Sequence, residues 1–136
     1  MPLKIKIDYL LNTVPEINPN SESLKTWKRL NPLKIEIIIQ NSSEPLNFDS
    51  NKYIYERKDL QLNTWIGMKD KMTKSESGIN RFYHKNNNLF EGMYLNGLKH
   101  GYGRFIQADG SYHMGQYLNG LRHGNGTFYY SNGAIY

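Results

Sequence analysis

Residues Phe90-Glu91-Gly92-Met93-Tyr94-Leu95-Asn96-Gly97-Leu98-Lys99-His100-Gly101-Tyr102-Gly103-Arg104-Phe105 decide the reading of this chain, because the same pattern returns 23 residues later. The second copy is His113-Met114-Gly115-Gln116-Tyr117-Leu118-Asn119-Gly120-Leu121-Arg122-His123-Gly124-Asn125-Gly126-Thr127-Phe128, without a gap. Gly110 and Gly133 keep the spacing, and Tyr136 falls on the slot of Phe90 and His113. A period of this length marks a repeat array, in which each unit is one supersecondary element that needs its neighbours to bury its apolar face. One period upstream lies a degenerate copy, with Gly78 under Gly101, Arg81 under Arg104, Phe82 under Phe105, and Asn80 where Gly103 stands. Its first half matches if Trp65-Ile66-Gly67 is set against Phe90-Glu91-Gly92 with two extra residues before Gly78.

Each unit has a mechanical reading. Asn96-Gly97 and Asn119-Gly120, with Asp109-Gly110 and Asn132-Gly133 between and after them, are strong hairpin signals. Between the turns, aromatic residues alternate with smaller ones, as Phe90, Gly92 and Tyr94 do, which is the period of a strand. The expected fold is therefore mainly β: an antiparallel hairpin meander over residues 63–136, preceded by a β-rich module with one short helix over residues 1–62. The array divides into a degenerate unit at 63–87, units at 88–110 and 111–133, and the opening of another at 134–136. Glycine inside a strand normally weakens it, so Gly92, Gly101, Gly103, Gly115, Gly124 and Gly126 need a compensating role. An aromatic ring lying flat over a residue without Cβ supplies one, and such stacking is the expected core of the array.

In the N-terminal module, Leu3, Ile5, Ile7 and Tyr9, and again Leu33, Ile35, Ile37 and Ile39, alternate with mostly polar residues and read as strands. The near-identity of Pro2-Leu3-Lys4-Ile5-Lys6-Ile7 and Pro32-Leu33-Lys34-Ile35-Glu36-Ile37 is either coincidence or a pair of strands. Ser21 to Leu30 fits a helix, capped by Asn20 or Ser21, with Leu24 and Trp27 on one face and Asn31-Pro32 as its stop. Lys52 to Glu56 and Leu60 to Ile66 read as further strands, and the Asn/Ser/Pro stretch at 41–51 as a loop.

Composition excludes several classes. Of the net charge of +5, all but one unit sits in residues 1–86, which carry 14 Lys/Arg against 10 Asp/Glu, and no dense basic stripe for nucleic acid exists. With no cysteine there are neither disulfides nor thiolate metal sites. The longest aliphatic run, Ile37-Ile38-Ile39, is far short of the roughly 20 apolar residues of a membrane span. The start lacks an apolar signal core and the Arg/Ser-rich pattern of a transit peptide, so an intracellular setting is expected. His100 and His123 hold equivalent repeat positions about 10 Å apart, too far to share a zinc whose nitrogens sit about 2 Å away. Gly101-Tyr102-Gly103 and Gly124-Asn125-Gly126 lack the third glycine and the helix of a dinucleotide loop, and no catalytic motif or acid/base pair is present. The expectation is a chain without enzymatic activity, cofactor or metal.

The pattern Gly-x-Tyr-Leu-Asn-Gly-Leu-Lys/Arg-His-Gly-x-Gly-x-x-Phe at a 23-residue period resembles MORN repeats, well over residues 87–136 and poorly over 63–86. His113 departs from the aromatic that the family pattern puts there, whereas Tyr94 and Tyr117 comply. The resemblance implies a rod of hairpins that scaffolds cytoskeletal, ciliary, junctional or other large assemblies through contacts with other proteins, and the 16 asparagines point by association to a ciliary or organellar one; the alternative is a module, within a larger enzyme, that binds anionic phospholipid or regulates. Tyr94, Tyr102, Tyr117, Tyr129, Tyr130 and Tyr136 are the candidate interaction aromatics, and Lys99 and Arg122, at matching repeat positions, the candidate lipid contacts. The strand opening at Tyr136 is expected to pair with further sequence or with a partner.

Overall fold

A computed structural model describes residues 20–42, 48–61 and 63–130, together with Lys4 and Lys6. Seven strands form one antiparallel sheet in chain order: β1 (Tyr53–Leu60), β2 (Asn63–Asp70), β3 (Glu76–Tyr83), β4 (Leu89–Leu95), β5 (Leu98–Ile106), β6 (Tyr112–Leu118) and β7 (Leu121–Tyr129). The Asn-Gly turns do what their sequence dictates. Asn96 and Gly97 have φ of 51° and 84°, and Asn119 and Gly120 have 50° and 88°, the pair of positive values that a two-residue hairpin turn with matching twist requires. The sheet is continuous through the β1–β2 hairpin, so it crosses position 62/63, the boundary expected between the N-terminal module and the repeat array. Asn132-Gly133 and Tyr136 lie outside the described residues.

Two helices cover one face of the sheet. The first, α1 (Glu22–Leu30), is capped by Ser21, whose Oγ accepts the Leu24 N–H at 3.2 Å, and it ends at Asn31, where φ is 67°. Glu22 in the first turn and Lys28 and Arg29 in the last match the helix dipole. As the sequence indicates, it buries Leu24 and Trp27, which pack with Tyr83, Leu89 and Ile106.

The second helix corrects the strand expected over Leu33 to Ile39: Ile35–Asn41 is helical and is labelled α2. Four isoleucines in five positions satisfy both a period of two and one of 3.6, so the local pattern does not choose. Packing does. Ile35 and Ile38, three apart on a helix, lie buried with Leu33 against Ile66, Met68, Ile79 and Met93, while Ile37 faces outward. Lys4 and Lys6, the described residues of the other expected strand, are also helical, and Lys4 approaches Glu36 at 3.5 Å. The strand expected over Leu60 to Ile66 is corrected in its bounds, because the β1–β2 turn falls at Gln61, with φ of 48°.

Between helices and sheet lies a buried ionic core. Register places Arg81, Glu91 and Arg104 side by side on β3, β4 and β5. The Glu91 carboxylate accepts from Arg104 Nη2 at 2.7 Å, from Trp27 Nε1 at 2.6 Å and from the Leu33 backbone N–H at 3.4 Å. Arg104 also donates to the Asn31 carbonyl at 2.7 Å, and the Arg81 guanidinium lies 4.5 Å from the centre of the Trp27 ring. Burial pulls the Arg81 pKa down to about 10, with Glu91 opposing the shift. This network ties α1 and the α1–α2 link to the sheet by hydrogen bonds that charge makes strong.

Candidate interaction face

The opposite face of the sheet is built from two parallel rows. Cross-strand pairing aligns Trp65, Phe82, Phe90, Phe105, His113 and Phe128 on successive strands. Two residues along each strand runs the second row: Gly67, Asn80, Gly92, Gly103, Gly115 and Gly126. Rings of the first row lean over the second. A Cβ added at Gly103 would meet Phe90 Cζ at 2.4 Å, and one at Gly126 would meet His113 Nε2 at 2.3 Å. The expected ring-on-glycine packing is thus present at Gly92, Gly103, Gly115 and Gly126, where His113 fills the slot of a ring, but Gly101 and Gly124 are corrected: no ring lies over either, and φ of 101° and 70° is what calls for glycine there. The pairs Trp65–Phe82, Phe90–Phe105 and His113–Phe128 are equivalent, which places the degenerate unit in the same register as the regular ones.

Further along, Tyr94 and Tyr117 set their rings edge-on against Phe90 at 5.5 Å and 5.1 Å, and these three form a buried cluster with Trp65 and Phe105 against it. Desolvation raises the pKa of Tyr94 and pushes that of Tyr117 up to about 12, so both hydroxyls stay protonated near neutral pH. The Lys99 ammonium sits 4.6 Å from the centre of the Phe105 ring, 5.0 Å from that of Phe90 and 5.9 Å from that of Tyr117, a cation held against three aromatic faces. Burial, and then Arg122, lower its pKa. Lys99 therefore belongs to the aromatic cluster, while Arg122, exposed on β7, lies 5.8 Å from the Phe128 ring. Open depressions of about 530 Å³ and 320 Å³ flank Lys99, one walled by Phe105, Tyr117 and Arg122, the other by Trp65, Phe82 and Tyr94.

The hairpin turns add an apolar border. The β2–β3, β4–β5 and β6–β7 turns lie at the same end of the sheet, linked by the Gly97 N–H donating to Glu76 O at 2.8 Å and the Gly120 N–H to Lys99 O at 2.9 Å. Met72, Leu98 and Leu121 at these turns are 92%, 48% and 73% exposed, and Leu95 and Leu118 are exposed beside them.

The sequence-selected tyrosines divide between the two faces. Tyr94 and Tyr117 join the aromatic face, whereas Tyr102 packs against the helix-side core and Tyr129 stacks on Tyr112 with centroids 4.6 Å apart. Tyr130 is exposed next to Phe128, and Tyr136 lies outside the described residues. Sequence reading missed Trp65, Phe82, Phe105 and the turn leucines as face residues; the alternation that separates Tyr102 from Gly103 would have identified the first three. His100 and His123 line a shallow depression with Gln116 and Tyr117.

The family model described as MORN repeat matches residues 90–112 and 113–135. No curated protein matches the chain.

Proposed function

We propose, from the two MORN repeats matched at residues 90–112 and 113–135, that the chain is a non-enzymatic scaffold subunit whose aromatic face receives another protein within a larger assembly, of the cytoskeletal, ciliary or organellar kind. The observation that carries this reading is the aromatic face itself, which neither of the described helices α1 and α2 covers. The helices cover one side of the sheet, and the other carries six in-register rings, of which Trp65, Phe82, Phe105 and Phe128 are partly exposed, with a half-buried cation and a border of exposed leucines. Aromatic residues and arginine are what protein interfaces are enriched in, and Arg122 lies at the edge of this row beside Phe128. The test is mild extraction of the native protein, size-exclusion chromatography and mass spectrometry of what co-elutes. Elution inside a large complex, lost on Leu98→Ser with Leu121→Ser, supports the reading; elution as a stable free monomer overturns it.

A second reading rests on a separate observation. At the turn end, Met72, Leu95, Leu98, Leu118 and Leu121 stand beside Lys71, Lys74, Lys99 and Arg122, a combination suited to the surface of an anionic bilayer. At about 1 kcal/mol per basic residue, these groups give reversible attachment. Salt-sensitive sedimentation with phosphatidylserine vesicles that disappears in a Lys99→Gln, Arg122→Gln double variant would favour it.

A further inference from the structure

The regular geometry of the aromatic face is broken at one residue. In the intact units the leading ring lies over the glycine two places along on the next strand, as Phe90 does over Gly103. Trp65 and Asn80 hold those slots in the first unit. The Asn80 side chain fills the space a ring would take, and Trp65 instead stacks on Phe82, centroids 4.2 Å apart and planes 27° from parallel. What remains is a cavity of about 120 Å³, with Gly67 and Asn80 as floor, Trp65 as one wall and Glu76 among its lining residues.

The polar atoms around this cavity have a definite sense. The Asn80 amide nitrogen donates to Met68 O at 3.1 Å and to Gly78 O at 3.4 Å, so its Oδ1 turns toward Gly67, where an added Cβ would sit 2.2 Å from it. Of the charged lining groups, Glu56 and Lys69 neutralise each other at 3.0 Å, and Lys58 stands at the exposed rim. Glu76 forms no ion pair among the described residues. An amide oxygen, a carboxylate and an indole wall are left to meet a ligand.

We propose that this cavity binds a guanidinium group, supplied by an arginine side chain of the partner. A planar guanidinium donates to two acceptors at once while its face lies against an aromatic ring, whereas an ammonium offers only a point charge and an anion would be repelled by Glu76. That a protein carries the arginine rests on the interaction reading above; the site's preference for guanidinium does not.

The probe is N-acetyl-arginine amide, titrated into the ¹⁵N-labelled protein and followed by NMR at the Trp65 indole and the Asn80 side-chain amide. Trp27, the second tryptophan, is buried on the opposite face and serves as internal control. The expected result is saturable shifts at Trp65 and Asn80 with Trp27 still, weaker shifts with N-acetyl-lysine amide and none with N-acetyl-glutamate amide. Glu76→Gln should weaken binding about tenfold. Asn80→Gly, which reopens the slot so that Trp65 can swing over residue 80, should abolish it, with circular dichroism confirming that the sheet persists. No shift with the arginine probe, equal shifts with the glutamate probe, or full binding by Glu76→Gln would overturn the proposal. The free protein is used throughout, so these results stand whether or not the native protein is found in a complex.

Discussion

Replacing Gly103 by alanine tests the packing principle of the array at its centre. Gly103 needs no positive φ, so the substitution carries no backbone strain and its whole effect is steric. The new Cβ would lie 2.4 Å from Phe90 Cζ, 2.8 Å from Phe90 Cε1 and 2.9 Å from the Glu91 carbonyl oxygen. Carbon atoms rest about 3.5 to 4.0 Å apart, so the ring must retreat by about 1 Å or more. Tyr94 and Tyr117 hold that ring edge-on and Lys99 lies over it, which leaves little room to do so. Overpacking of this kind costs about 1 to 3 kcal/mol, or a fall in Tm of about 4 to 12 °C for a chain of this size. The assay is thermal and urea denaturation, with Gly97→Ala as comparison: there φ is +84° and the nearest atoms are 4.0 Å away, so the cost is backbone strain alone, about 1 to 2 kcal/mol. Shortening the ring identifies the cause. In a Phe90→Leu background the terminal ring carbons are gone, and Gly103→Ala should cost at least about 1 kcal/mol less than in the parent chain. A Gly103→Ala variant as stable as the parent, or one whose cost is unchanged by Phe90→Leu, would refute ring-on-glycine packing.

Three further outcomes follow from the same geometry. Glu91→Gln removes the counter-charge from Arg104 and Arg81 beneath the helices and should cost about 3 to 5 kcal/mol in denaturant unfolding; a loss near zero would mean the ionic core does not tie the helices down. Burial, and then Arg122, hold the His113 pKa below its ordinary value, so the unfolded chain takes up the proton first as pH falls. Stability should therefore decline from about pH 6.5 down toward the depressed pKa and stay level above, and His113→Phe should remove this slope, as Tm against pH would reveal. Lys99→Met, which keeps the apolar stem against Phe90 and Phe105, should leave Tm nearly unchanged and weaken capture of the native partner; unaltered capture would remove Lys99 from the contact.

How far the sequence announced this structure depended on whether the deciding interaction was local. The Asn96-Gly97 and Asn119-Gly120 turns set their own backbone, and the Ser21 cap and Asn31-Pro32 stop bound α1 in the same way, so these elements were legible. Residues 35–39 were not, because their isoleucines suit two periods and only the exposed apolar surface of Ile66, Met68, Ile79 and Met93 selects the helix. The site was half legible. Tyr94, Tyr117, Lys99 and Arg122 stand out by repetition, whereas Tyr102 and Tyr129, one residue from Gly103 and Phe128, fall on the opposite face by alternation, a distinction that residue type alone does not make. Glu91, a lone carboxylate in the sequence, gives no sign that Trp27 and Leu33, 64 and 58 residues away, converge on it. Asn80 was visible as a departure from glycine; its consequence depends on where Trp65 goes.

Other molecules are expected to touch the chain at its aromatic face. A photo-crosslinking residue placed at position 121 on the turn border of the aromatic face, and in a second variant at position 85 on the exposed β3–β4 turn at the other end of the sheet, measures this in the assembled native protein. One discrete protein adduct is expected from position 121 and none from position 85. Adducts from position 85 alone, or from neither position in a protein that elutes as a monomer, would contradict it.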